Sequence, residues 1–374
     1  MKVRMATPIV SIYETGDYDA QIARAAAMLH DGGVVVLPTE TLYGAAAVLG
    51  HPRAMPRLKS IRGKDINPFT IHLASREQAS RYIGKMGEIG RRMIKKLWPG
   101  PVSLVFEVPA NRRAEVAREL DVSEDEIYAS GTITLRCPDH IVATDVIARS
   151  EKPILLTMAG QSAHGPADAI ADELNDNADL ILDAGPTRFA RPSTILKVKD
   201  RGFDMIRAGV YDERIIERLL RTTILFICSG NTCRSPMAEA IARSGLARRL
   251  GVGPDELENK GVTITSAGAF ALPGAKATPQ AVEAVKTLGA DLSKHRSRPL
   301  TVELIHQADH IYAMGRNHAL AVQALVPSAA EKTTTLDPAG DIDDPIGGDL
   351  SLYQALAGEM QKLIDRRLDE VALA

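Results

Sequence analysis

The chain has 374 residues, 45% of them hydrophobic and 25% charged, with a net charge of −2. That length suits two domains with a core each, and the net charge gives no global electrostatic preference for nucleic acid or membrane. Its three cysteines give no disulfide framework, and Cys228 and Cys233 without a histidine cluster fall short of a structural zinc site.

Residues 1–16 lack the apolar core of a signal peptide, and no later run has the length of a membrane span, so the expectation is a cytoplasmic protein with no membrane partner. A helical pattern over 19–30 leads through Gly32-Gly33 to a buried-strand run at 34–37, which Pro38-Thr39 ends. Short apolar runs follow at 69–73, 102–108, 133–135, 154–156, 180–182 and 194–198, between helical or polar stretches. Residues 212–221 read as a short helix. A second unit starts at Thr222, with a strand over 224–227 and a helix near Ser235-Pro236, since Pro suits a first helical turn. Helix and strand patterns then alternate to a long final helix from Leu350. The expected boundaries are 1–221 and 222–374. The class is α/β, and the second domain is a small doubly wound parallel sheet with a loop after its first strand.

That loop runs Cys228-Ser229-Gly230-Asn231-Thr232-Cys233-Arg234-Ser235-Pro236. A lone Cys-x5-Arg is a weak signal, and a cysteine at a strand end is often a buried structural thiol. Between a strand and a helix, however, backbone N–H groups converge on an anion and the helix dipole activates a thiol. Gly230 and Asn231 tolerate the left-handed backbone that turns the amides inward. Arg234 can return over the cradle with its planar fork, and Ser235 is placed to bond the sulfur. A general acid is also needed. Asp341, Asp343 and Asp344 form the dense carboxylate cluster of this domain, and Asp344, fixed by Pro345, is preferred. The same cluster also reads as a solvated turn before a helix.

With Ser266-Ala267-Gly268, Lys276-Ala277-Thr278-Pro279 and Asp343-Asp344-Pro345-Ile346-Gly347-Gly348, this loop resembles the low-molecular-weight protein-tyrosine phosphatase family across 222–374. The resemblance implies that Cys228 forms a phosphocysteine, Arg234 clamps the transition state and Asp344 serves as acid and then base. It implies a phosphorylated protein substrate, no metal and no cofactor. It also implies a reversible disulfide between Cys228 and Cys233. Phosphotyrosine-selective members carry aromatic residues after the Asp-Pro, where this chain has Ile346-Gly347-Gly348. With Thr232 in the loop, the pattern resembles the protein-arginine phosphatase branch, so phosphoarginine is favoured over phosphotyrosine. Arsenate reduction is the alternative. It normally needs a resolving cysteine pair, and no cysteine follows Cys233.

In the first domain, Thr39, Thr41 and the turn at Gly44 offer hydroxyls at a strand end, or an ordinary strand-to-helix cap. With Trp98-Pro99-Gly100-Pro101, Leu135-Arg136-Cys137-Pro138, Gly185-Pro186-Thr187, Ser193-Thr194-Ile195 and Ile206-Arg207-Ala208-Gly209, they resemble the YrdC-like threonylcarbamoyl-AMP synthases. The implied fold is a twisted mixed sheet with helices. The implied substrates are ATP, L-threonine and bicarbonate, with magnesium, for a tRNA modification. Carried over, Thr39 and Tyr43 border the threonine site, Arg62 and Lys64 approach phosphates, and Arg136, Ser193 and Arg207 lie on the nucleotide side. Two departures stand out. The family's Lys-x-Arg is Arg62-Gly63-Lys64 here, and a fork is not equivalent to a point charge. Thr157-Met158-Ala159-Gly160 replaces Ser-Ala-Asn after the threonine, removing two polar contacts worth on the order of 2–5 kcal/mol. Three readings stay open: a synthase, a nucleotide- or RNA-binding module without synthesis, and a regulatory domain. The basic run Arg53, Arg57, Lys59, Arg62 and Lys64 suits the first two.

Overall fold

Ile22, Ala25, Ala26 and Leu29 put one buried apolar stripe on helix α1 (Tyr18–His30), and Asp17 caps it by accepting a hydrogen bond from Ala20 N. Burial of Ile22 and Leu29 stabilises by roughly 1.5–3 kcal/mol each, and the two alanines contribute less. The computed structural model describes residues 7–63, 69–200 and 202–371, and the chain divides into two units, Met1–Leu219 and Leu220–Ala374. Among the described residues no helix is long and apolar enough to cross a membrane.

The first unit is built on a ten-stranded mixed sheet. Its strands are β1 (Ile9–Ser11), β2 (Val35–Leu37), β3 (Gly44–Val48), β4 (Thr70–His72), β5 (Val102–Glu107), β6 (Thr132–Arg136), β7 (Ile154–Met158), β8 (Leu180–Asp183), β9 (Thr194–Val198) and β10 (Phe203–Arg207). They lie in the order β1-β8-β2-β3-β7-β4-β6-β5-β9-β10. Parallel pairs such as β4·β6 and β5·β9 are interleaved with antiparallel ones such as β2·β3 and β5·β6. Helices α1 and α3 (Ile141–Arg149) share one apolar cluster with β2, β3, β7 and β8. Helix α2 (Ala54–Arg62) lies between β3 and β4 in the chain. The chain after Tyr43 enters β3 and not a helix, so the strand-to-helix reading of this turn is corrected. Gly44 and the alanines of β3 carry little strand preference, and pairing with β2 and β7 on either side overrides it.

The second unit has four strands, β11 (Thr222–Cys228), β12 (Val262–Gly268), β13 (His310–Ala313) and β14 (Thr333–Thr335), all parallel in the order β12-β11-β13-β14. Alternate residues of β11 feed two cores. Ile224 and Phe226 pack with α4 (Arg234–Leu250), α5 (Pro279–Lys286) and α7 (Leu350–Glu370). Leu225 and Ile227 face the other cluster, which includes Val322 of α6 (Arg316–Leu325). Burial of both faces explains why β11 reads as a continuous apolar run. The first strand lies inside the sheet, so the topological switch point falls at its C-terminal end, where open α/β sheets bind ligands.

Candidate functional site

β11 ends at Cys228, and the chain turns through five residues before α4 begins at Arg234. Asn231 makes the turn with φ of +53° and is fully buried. Its Nδ2 donates to Ser235 Oγ and Ser266 Oγ, both at 2.9 Å, and its Oδ1 accepts from Arg298 N at 2.9 Å. Ser266 Oγ donates in turn to Glu239 Oε2 at 2.6 Å, and His295 Nε2 lies 2.8 Å from the Asn231 carbonyl. Gly268 lets the loop approach β12, because a Cβ there would meet Ser229 O at 2.6 Å and Asn231 N at 2.9 Å.

This scaffold brings Asn231 N to 3.3 Å and Ser235 Oγ to 3.0 Å from Cys228 Sγ. Arg234 is buried. It donates to Ile342 O at 3.0 Å and to Asp344 Oδ2 at 2.5 Å, linking the loop to a carboxylate 110 residues away. Asp344 is 46% exposed at its side chain, and its Oδ1 accepts from Ile346 N at 3.2 Å. The other carboxylates are placed differently: Asp341 accepts from Arg316 N at the start of α6, and Asp343 is exposed. Thr232 is half-buried, with Oγ1 3.7 Å from Cys233 Sγ. Cys233 Sγ also lies 3.5 Å from Thr278 Oγ1 and 3.4 Å from Tyr353 Oη. Cys228 and Cys233 are both free thiols, and Gly230 is exposed. Ser266, Glu239, His295, Arg298, His318 and Tyr353 complete the surroundings, and the last four had no local motif to single them out.

In the first unit, Thr39, Tyr43, Arg62, Arg136, Ser193 and Arg207 line one cavity of 210 Å³, while Lys64 lies outside the described residues. The cavity groups are extensively bonded to the protein. Arg136 donates to Glu40 Oε1 at 2.7 Å, to Thr41 Oγ1 at 2.9 Å and to Gly100 O at 3.2 Å. Arg207 donates to the Ser193 carbonyl at 2.8 Å, and Ser193 Oγ lies 3.2 Å from Ser103 Oγ. The Arg62 guanidinium lies over the Phe69 ring at 4.2 Å from its centroid. Thr39 Oγ1 donates to Leu42 O at 2.6 Å, and the Tyr43 hydroxyl is held by Asp183 Oδ1, Gly185 O and Ala184 N. His72, which also lines the cavity, is pushed down to about 3 by burial and by the Arg136 charge, and stays neutral. Its sequence context carried no signal.

Met158 lines the cavity and Gly160 adopts φ of +78°. The Glu173 carboxylate accepts from Gln161 N at 2.6 Å and Ser162 N at 2.7 Å, and a Cβ at Gly160 would meet it at 2.4 Å. Glycine at 160 therefore leaves the space that the Glu173 carboxylate needs to anchor this loop. No carboxylate lines the cavity among the described residues. Its donors suit phosphates; they do not suit a magnesium ion held by protein oxygens alone.

Residues 27–209 match the Sua5/YciO/YrdC family, described as telomere recombination, and residues 223–372 match the low molecular weight phosphotyrosine protein phosphatases. A protein-arginine-phosphatase of Bacillus subtilis is 40% identical over 146 residues, 38% of this chain and 91% of that protein. A threonylcarbamoyl-AMP synthase of the same organism is 30% identical over 212 residues, 55% of this chain and 58% of its own length. The chain thus spans little more than half of that synthase. A crystal structure of a YwlE mutant from Bacillus subtilis is 37% identical, with a TM-score of 0.36, covering 40% of this chain and 97% of that one.

Proposed function

Since the chain belongs to the YrdC-like family over residues 27–209 and to the low-molecular-weight protein phosphatases over 223–372, we propose that Cys228 is a phosphoryl-accepting nucleophile. The observation that carries this is the convergence of Asn231 N and Ser235 Oγ on Cys228 Sγ, beside a buried Arg234 paired to Asp344. An entering phosphoryl group takes the Arg234 fork, and the half-exposed Asp344 leaves it for the leaving group. Cys228 gives up its thiol proton and Asp344, released from Arg234, takes one up through solvent. Sγ then attacks phosphorus, the P–N or P–O bond breaks, and the Asp344 carboxyl protonates the departing nitrogen or oxygen. Water next attacks the phosphocysteine, Asp344 takes its proton, and phosphate leaves with Sγ restored as thiolate. Ser229, Gly230, Asn231, Thr232, Cys233 and Ser235 form the cradle in this scheme. Because this chemistry needs a free thiol, the cytoplasm is the fitting compartment.

The substrate read here is a protein carrying phosphoarginine. Exposed Ile346 followed by two glycines offers no ring to stack on a phenol, and the relative named above is an arginine phosphatase. Hydrolysis of phosphoarginine and phosphotyrosine peptides by wild type and Thr232→Ile tests this. Preference for phosphoarginine, weakened in the variant, is expected. A wild type that prefers phosphotyrosine, unchanged by the substitution, overturns it.

For the first unit, threonylcarbamoyl-AMP synthesis is the reading supported by six expected residues lining one cavity. The guanidinium groups of Arg62 and Arg207 would meet triphosphate oxygens, and Thr39 would orient the amino acid. Magnesium would arrive on the ATP phosphates and screen their charge. Pyrophosphate release from ATP that requires both L-threonine and bicarbonate is expected. Nucleotide binding without release would sink synthesis and leave a binding module.

A further inference from the structure

His318 has no part in the scheme above, yet it touches the phosphate loop. It sits in the first turn of α6 at 8% exposure, and its Nε2 lies 2.8 Å from Oγ of Ser229, the residue after the nucleophile. Its Nδ1 is buried with no hydrogen-bond partner among the described residues. A buried acceptor without a partner is tolerated better than a buried N–H without one, which places the proton on Nε2. Nε2–H then donates to Ser229 Oγ. Burial and the Arg234 charge push the imidazole down, while Asp341 and Asp344 face it and pull the other way; the net direction favours the neutral ring.

With Nε2–H on one lone pair, half-buried Ser229 keeps its hydroxyl hydrogen and a second lone pair. The hydrogen can reach a phosphoryl oxygen, which every substrate supplies. The lone pair can accept only from a leaving group with N–H donors. A guanidinium has them and a phenyl ring does not.

Resting on the phosphatase reading, we propose that Ser229 and His318 form a specificity pair, in which His318 positions the Ser229 hydroxyl to accept from the guanidinium of phosphoarginine. His318 is a positioning residue and Ser229 the contacting one. The Ile346-Gly347-Gly348 segment carries no aromatic side chain to stack on a phenol, so a polar contact from Ser229 would supply the discrimination that stacking does not.

The test uses the full chain and kcat/KM for phosphoarginine and phosphotyrosine peptides. Ser229→Ala and His318→Phe are each expected to lower the phosphoarginine-to-phosphotyrosine ratio about tenfold. The double variant should fall no further than the lower single, and His318→Gln, which keeps a donor toward Ser229, should recover most of the loss. Thermal unfolding of each variant identifies those that fold, and His318→Gln carries the test if His318→Phe does not. A ratio unmoved in Ser229→Ala and in the folded His318 variants overturns the pair, as do independent effects that multiply in the double variant. If wild type prefers phosphotyrosine, the substrate reading fails by itself. The pair is still judged by whether the ratio falls.

Discussion

The two clefts both hold an arginine against a carboxylate, and the difference in burial separates what each pair can do. Arg136 and Glu40 are 6% and 2% exposed at their side chains, at a distance of 2.7 Å. Arg234 is equally buried, but its partner Asp344 is 46% exposed. Parting the first pair would leave a charge in low dielectric, which costs several kcal/mol. Parting the second returns a carboxylate to water while an incoming phosphoryl group replaces it on the guanidinium. Arg136 is therefore a fixed wall of its cleft, whereas Arg234 would exchange Asp344 for a phosphoryl group in the proposed reaction.

Breaking each site in turn sharpens that contrast. Cys228→Ser is expected to reduce phosphatase turnover on the order of 10⁴-fold or more, while ATP-dependent pyrophosphate release by the first unit is unaffected. Parallel assays on one preparation check this, and substantial phosphatase activity in the variant removes Cys228 from its role. Glu40→Gln takes one partner from the buried pair and should destabilise the first unit by about 3–5 kcal/mol. Denaturant unfolding measures it, and a loss below about 1 kcal/mol would show that Arg136 can be freed for a ligand after all. Asp344→Asn keeps an amide oxygen for Arg234 and should destabilise the second unit by about 1–2 kcal/mol, less than Glu40→Gln, while lowering kcat by roughly 10²–10³-fold and removing one limb of its pH profile. An unchanged profile would reassign the acid.

The smallest effect is a pH slope. His72 is neutral in the folded unit and ordinary when unfolded, so the unfolded chain binds the extra proton between 6.5 and about 3. Stability contributed by neutral His72 is present above 6.5 and is lost as pH falls through that window, at up to about 1.4 kcal/mol per pH unit. Unfolding at pH 7 and pH 5 should reveal it, and His72→Phe should flatten it. Equal slopes in both proteins would place the titration elsewhere.

Much of the phosphatase loop was legible because its chemistry is local. Cys228, Asn231, Arg234 and Ser235 fall within eight consecutive residues, and a strand followed by a helix dictates where their backbone amides point. The proposed acid was legible only as a choice of three, since little in the local sequence separates Asp344 from Asp341 and Asp343 beyond the proline that follows it. Tertiary structure decides that Asp341 caps α6 and Asp344 meets Arg234. The strands β3 and β10 were equally silent, because strand pairing, not the residues themselves, makes them strands.

By itself, then, the sequence determined the α/β class, the two family resemblances and the contiguous loop from Cys228 to Ser235, all of which rest on short-range pattern. Only the tertiary structure decided which ion pair is buried on both sides and which on one, that Glu173 fills the space before Gly160, and that His318 reaches Ser229 from 89 residues away. Burial and long-range pairing are properties of the packed chain, and no window of neighbouring residues encodes them.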